Sequence, residues 1–146
     1  IAYTSFPERI DYQADGGTDI PQDLFSRYRQ AVFPLRCVDP FEEPRIERLL
    51  SEMDCDEFVL AGACAEGSVQ AMALGLLQRG KHVTVVTDAI GSHDHKLAKL
   101  AVSKVKAKGA LTVETKDIAG VSHLRKVGAC GCSKCTGKKE KAAVRI

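Results

Sequence analysis

Three places in the sequence carry side chains whose type and spacing suit chemistry. The first is Ser68, in the run Gly62-Ala63-Cys64-Ala65-Glu66-Gly67-Ser68-Val69. A hydroxyl at a helix start lies where unpaired backbone N–H groups can hold an anion or an oxyanion, which suits acyl transfer if an adjacent base activates the oxygen. The same hydroxyl also serves as a plain cap for those N–H groups. Cys64, at a strand end, is a second nucleophile candidate, although a structural thiol is the commoner role for such a residue. The second place is His93-Asp94-His95, which follows the next strand and could face the same edge as Ser68 or ligate a metal. The nucleophile-elbow pattern G-x-S-x-G fails at Glu66-Gly67-Ser68-Val69-Gln70. Side chains two apart on a helix diverge, so surface capping is the expected role of the His-Asp-His trio. The third place is Cys130-Gly131-Cys132-Ser133-Lys134-Cys135. Cys132 and Cys135 have the spacing at which two thiolates reach one tetrahedral zinc, Cys130 can be a third ligand, and His123 or Cys37 can complete four. A structural zinc would supply folding energy that a short tail lacks. A redox thiol pair, an iron–sulfur site and unligated cysteines are the rival readings.

The elements that must position these groups can be read from periodicity. Phe58 to Ala61 are apolar without alternation, as in a parallel strand covered on both faces, and Gly62 releases the chain into a turn. From Ser68 onward, Val69, Met72, Ala73, Leu76 and Leu77 recur at the spacing of one helix face, and Gly80 closes the helix as a left-handed cap. Val83 to Val86 form the next strand, parallel to the first through a right-handed crossover. Ser68 therefore sits beyond a strand's carboxyl end, where open parallel sheets bind ligands. A helix beginning near Glu43-Pro44, a second carrying Leu97, Leu100, Ala101 and Val105, and a strand over Ala110 to Val113 extend the pattern. Ile1 to Ser5 read as a strand, Pro7 to Ser26 as a long irregular connection, and Pro34 to Pro40 as a short extended piece. The order predicts an α/β fold, a doubly wound parallel sheet with helices on both faces, over residues 1–120. Residues 121–146 form a basic, Cys-rich C-terminal tail.

At 146 residues and 45% hydrophobic, the chain suits one domain with a sizeable core. No apolar run approaches a membrane span, and the N-terminus lacks the layout of a signal peptide. These features predict no membrane partner and a cytoplasmic location, with the six cysteines reduced or metal-bound. Divided after Gly120, Lys and Arg split 14 and 7 while Asp and Glu split 18 and 1, so the body carries −4 and the tail +6. A basic tail can meet an acidic partner, although a solvated end is the plainer reading. It has no interleaved aromatics, which weakens the case for nucleic acid.

The run Gly62 to Val69, followed by Ala73, Arg79-Gly80 and Val83 to Ala89, resembles the isochorismatase-like cysteine hydrolases. The similarity extends from about Phe41 to near Ile118, with a looser likeness of Ile1-Ala2-Tyr3-Thr4 to the family's second strand. The resemblance implies a Rossmann-like sheet, hydrolysis of amides or of a vinyl ether by a cysteine, an aspartate and a lysine, and assembly into dimers or tetramers. It puts the nucleophile at Ser68, in place of cysteine, and the oxyanion hole at the N–H groups around Ala65 and Ser68, in a turn often built on a cis peptide. Arg36 lies near the lysine position, and a guanidinium is a poor proton donor at neutral pH. The family's aspartate ends a first strand that would precede Ile1, and no residue here matches it. A hydrolase fold with its catalysis lost, acting in binding or assembly, is therefore expected. Its implied partners are a second copy of itself and a small anionic or carbonyl ligand. The alternative is an amide or ester hydrolase using Ser68 or Cys64.

Overall fold

The computed structural model describes residues 5–119. Two short strands come first, β1 (Arg9–Asp11) and β2 (Gln30–Val32), paired in parallel with Ile10 opposite Ala31. One helical turn, α1 (Leu24–Arg27), lies between them and buries Leu24. The stretch Pro7 to Ser26, expected to be irregular, thus contains a strand and a helical turn. Arg9-Ile10-Asp11 is too short for any periodicity to show, and it is a strand because β2 pairs with it. The extended piece likewise falls at Gln30–Val32, ahead of the expected position.

The connection between these strands is fastened by a buried arginine. Arg45, 5% exposed, donates to the Asp15 carboxylate at 2.5 and 3.2 Å, to the Gln13 carbonyl at 2.9 Å and to the Asp19 carbonyl at 3.3 Å. Its guanidinium also lies over the Tyr12 ring, 5.2 Å from the centroid. The Arg45 side-chain hydrogen bond holds the Asp15 carboxyl down to about 2, well below the usual carboxylate range.

Arg45 belongs to α2 (Pro44–Glu52), which has proline in its first turn as expected. A single 3-10 turn, Pro40–Glu42, precedes it, capped by the Asp39 carboxylate, which accepts from the Phe41 N–H at 3.0 Å. The continuous unit follows: β3 (Glu57–Ala63), α3 (Gln70–Gln78), β4 (His82–Gly91), α4 (His95–Ala107), β5 (Leu111–Val113) and α5 (Thr115–Ala119). The strands form a parallel sheet in the order β3-β4-β5, with Val59 opposite Thr84 and Val85 opposite Thr112. The architecture is α/β, with parallel sheets flanked by helices. Gly80 and Gly109, at φ of 75° and 106°, end α3 and α4 in the left-handed conformation that glycine adopts without a steric penalty.

The core lies where α3 and α4 pack on the sheet, around Ala73, Leu76, Val83, Val85, Val105 and Ala110. The middle strand β4 buries Val83, Val85 and Val86, as a continuously apolar parallel strand should. β3 has the same apolar run but alternates, with Val59 60% exposed. The expectation that Phe58 to Ala61 are covered on both faces is corrected here. Among the described residues β3 is an edge of its sheet, and an apolar run alone does not distinguish an edge strand from a central one.

Candidate functional site

The chain leaves β3 through a bulge. Leu60 is opposite Val85 and Gly62 is opposite Ile90, so the register shifts just before the site. Gly62 adopts φ 127°, a backbone shape that favours glycine. The Ala63–Cys64 peptide is cis, in the turn for which the resemblance implies one. A wide turn, Ala65–Val69, comes next, with Gly67 out of helical geometry at φ −112° and ψ −111°. The Gly67 and Val69 N–H groups both donate to the Cys64 carbonyl, at 3.1 and 3.2 Å, and the amides of Ala65 and Ser68 take no part in that pairing. Ser68 therefore belongs to the turn, and regular helix begins at Gln70, two residues later than expected. The glycine at 67 is the reason: its backbone departs from helical geometry in the first turn.

Ser68 lines a cavity of about 220 Å3. Leu35, Pro40, Leu60, Val69 and Met72 supply most of its wall, together with Ala61 to Ala63. Among the described residues no acidic, basic or imidazole side chain lines this cavity, and the Ser68 hydroxyl makes no hydrogen bond. Arg36 points its chemistry elsewhere. It lines a second cavity of about 250 Å3 with Cys37, Asp39, Glu42 and Glu43, and Leu35 is a wall of both. Cys37 is exposed, and its hydrogen bond with Glu42 pushes the thiol up, a poor setting for a metal-binding thiolate.

His93, Asp94 and His95 do not reach the Ser68 cavity. Asp94 is the N-cap of α4, its carboxylate accepting from the N–H groups of Lys96 at 2.7 Å and Leu97 at 3.2 Å. Capping was the role expected for this trio, and Asp94 takes it. Among the described residues no group of three His, Cys, Asp or Glu side chains is placed to hold a metal. Cys130, Cys132, Cys135 and His123 lie outside the described residues.

One feature of the turn escaped the sequence reading. The Glu66 carboxyl is held down to about 2, first by the Cys64 thiol, then by the Ser92 hydroxyl and by the backbone N–H groups of Glu66 and His93. The Ser92 hydroxyl donates to the Asp94 carbonyl at 2.8 Å. Glu66 Oε2 is shielded from solvent with no hydrogen-bond partner among the described residues. Glu66 thus lies where the turn after β3 meets the loop after β4. A two-residue spacing, Cys64-x-Glu66, was the only signal for this contact.

At the end of β4, Asp88 accepts from the N–H and hydroxyl of Thr115, at 2.8 and 2.9 Å, and the Thr115 backbone N–H keeps its carboxyl low. This contact fixes the start of α5 to the same sheet edge.

Against known proteins, the isochorismatase domain family model matches residues 6–117. Three solved structures are similar in fold. The ycaC gene product of Escherichia coli, described as an octameric hydrolase of unknown specificity, has a TM-score of 0.56 at 19% identity, with 80% of this chain and 64% of that one covered. YcaC from Pseudomonas aeruginosa gives 0.53 at 20% identity, over 64% of this chain and 46% of that one. A hypothetical protein from Trypanosoma cruzi gives 0.55 at 17% identity, over 94% and 71%. The chain thus spans 46% and 64% of the length of the two YcaC proteins. No curated protein sequence matches it.

Proposed function

We infer the function of this chain from its family: it belongs to the isochorismatase domain family, and we propose that it has kept the family's fold, lost its hydrolytic chemistry, and acts by binding and assembly. The observation that carries this reading is the apolar wall around Ser68. A serine hydroxyl attacks a carbonyl only when a base removes its proton, and among the described residues no titratable group lines the cavity in which it sits. The other positions agree. Arg36 lines a different cavity, and Cys64 does not line the cavity of Ser68. An apolar space of this size suits a small uncharged ligand better than an anion, since a buried anion needs donors or a cation around it. This narrows the small anionic or carbonyl ligand expected above to a neutral carbonyl compound.

The reading extends to partners and tail. We propose a homo-oligomer, an arrangement supported by the octamer described for the E. coli relative of the same fold. For the tail we propose a structural zinc held by Cys130, Cys132 and Cys135 with His123, and a reducing, cytoplasmic setting in which Cys37, Cys55 and Cys64 stay free. Elemental analysis before and after a chelator tests the metal. One equivalent of zinc per chain supports the site, and a metal-free protein removes it.

The loss of hydrolysis is tested by measuring turnover of a panel of small amides and esters by the protein, by Ser68→Ala and by Ser68→Cys. Equal and negligible rates for the first two are expected. A rate that falls in Ser68→Ala would overturn the reading in favour of a hydrolase.

A further inference from the structure

The charge of α4 has a sign that the stability of the helix does not explain. With its C-cap, α4 carries Lys96, Lys99, Lys104, Lys106 and Lys108 and no acidic residue. Lysines in the last turn suit the helix dipole, but Lys96 and Lys99 stand near the start, where a cation is disfavoured. Lys96 and Lys99, three apart, and Lys104 and Lys108, four apart, are also like-charged neighbours, which costs a helix stability unless an anion lies across them. Among the described residues none of the five is in an ion pair. The elements packed against α4 do not offset them. α3 and β5 contain no acidic residue, Glu66 has its carboxyl at the loop after β4, and the Asp94 carboxylate is turned to the N–H groups of Lys96 and Leu97.

The same helix exposes apolar surface. Ala101 and Val105 hold it to the core, while Leu97 and Leu100 are 49% and 51% exposed. Lys96, Leu100, Lys104 and Lys108 follow one another in steps of four and form one row, and Leu97, three before Leu100, stands beside it. Lysine and leucine are therefore interleaved on one convex face, which lines neither of the cavities described above. A nucleic-acid backbone would meet the lysines and leave the leucines in water. An anionic lipid surface covers both, because its headgroups pair with the ammonium groups while the leucines enter the boundary with the acyl chains and the lysine stems reach back from it.

We propose that the Leu97–Leu100 face of α4 docks on an anionic lipid surface, with Lys96, Lys99, Lys104 and Lys108 on its headgroups. The expectation of no membrane partner came from the lack of an apolar span. No helix among the described residues is long and apolar enough to cross a membrane, and a face that lies on the surface needs none. Residues 1–95 hold 8 Lys and Arg against 16 Asp and Glu, a net of −8, so the same surface repels the rest of the molecule and confines the contact to this side. The stretch after Gly120, at +6, adds to the attraction.

The test is partitioning of the full chain onto vesicles, read by cosedimentation, with phosphatidylcholine alone and with about one third phosphatidylserine. The wild type is compared with Lys96→Gln/Lys104→Gln and Leu97→Gln/Leu100→Gln. All four positions are exposed, and circular dichroism confirms that each variant is folded. The wild type should bind the anionic vesicles about tenfold better than the neutral ones, or more, and lose this advantage in high salt. The lysine variant should bind them more weakly by about fivefold for each lysine removed, and the leucine variant by about tenfold. A wild type that binds neither vesicle, or both alike, overturns the proposal. So does anionic binding that both variants keep, which would assign it to the stretch after Gly120. A loss confined to the lysine variant also overturns it, and binding of a duplex RNA by the leucine variant would then give the face to nucleic acid. None of these outcomes bears on Ser68, whose reading is tested separately.

Discussion

Gly75→Ala should destabilise the protein although it places a better helix former in the middle of α3. A Cβ built at Gly75 overlaps the Phe41 ring, meeting Cε2, Cδ2 and Cζ. The ring has little freedom to retreat. The Arg79 guanidinium stacks on it at 3.9 Å from the centroid, and Arg79 is itself held by the Gly75 carbonyl at 2.8 Å and by Glu47. Replacing glycine by alanine inside a helix stabilises by about 1 kcal/mol. Forcing an extra carbon into a packed contact costs about 1–3 kcal/mol. The overlap is with a clamped aromatic ring, which points to the upper part of that range and a net loss of about 1–2 kcal/mol. For a chain of this size that lowers Tm by about 3–6 °C, read by thermal unfolding with circular dichroism. Phe41→Leu should cost less in the Gly75→Ala background than in the wild type, with a coupling of about 1 kcal/mol. An unchanged or raised Tm for Gly75→Ala would refute the reasoning. The contact also bears on the site, because Phe41 follows Pro40, a wall of the Ser68 cavity.

Acid should unfold the protein partly through Glu66 and Asp15. Both carboxyls are held down to about 2 in the fold, from ordinary values of 4.5 and 3.8, so the stability they contribute is present above those ordinary values and is lost as pH falls through about 2. Tm measured between pH 5 and pH 2 should therefore fall less steeply in Glu66→Gln than in the wild type, and parallel curves would show that the carboxylate carries no such linkage. Asp94→Ala removes the cap of α4 and should cost about 1 kcal/mol in urea unfolding, while Asp94→Asn, which also caps, should lose much less. Equal losses for the two variants would mean that the cap hydrogen bonds contribute nothing. Leu76→Ala, at a fully buried position of α3, should cost about 2–5 kcal/mol by leaving a cavity. A loss below about 1 kcal/mol would contradict the placement of the core between α3 and the sheet.

The unit from β3 to β5 was legible in the sequence because each of its signals is local. Val83, Val85 and Val86 are β-branched and buried, α3 follows a three-and-four spacing, and Gly80 and Gly109 stop the helices in the left-handed conformation. The first part of the chain was less legible, since β1 and β2 are three residues each and exist through their pairing. The exposure of Val59 was illegible for a related reason. An apolar strand reads alike at the centre and at the edge of a sheet, and what lies over its face is a tertiary matter.

In the site, the position of Ser68 after β3 followed from the pattern of strand, turn and helix. Its surroundings did not, because Leu35 and Pro40 come from a segment more than twenty residues upstream. The same holds for the contact of Glu66 with the loop after β4, which only the packing of two neighbouring turns creates.

The central claim, that Ser68 occupies a nucleophile's place without a nucleophile's reactivity, is tested most directly by labelling. The protein is incubated with a serine-directed fluorophosphonate and its intact mass is measured beside that of Ser68→Ala. The absence of a base around the hydroxyl among the described residues predicts no adduct on either protein. A stoichiometric adduct on the wild type that disappears in Ser68→Ala would contradict it.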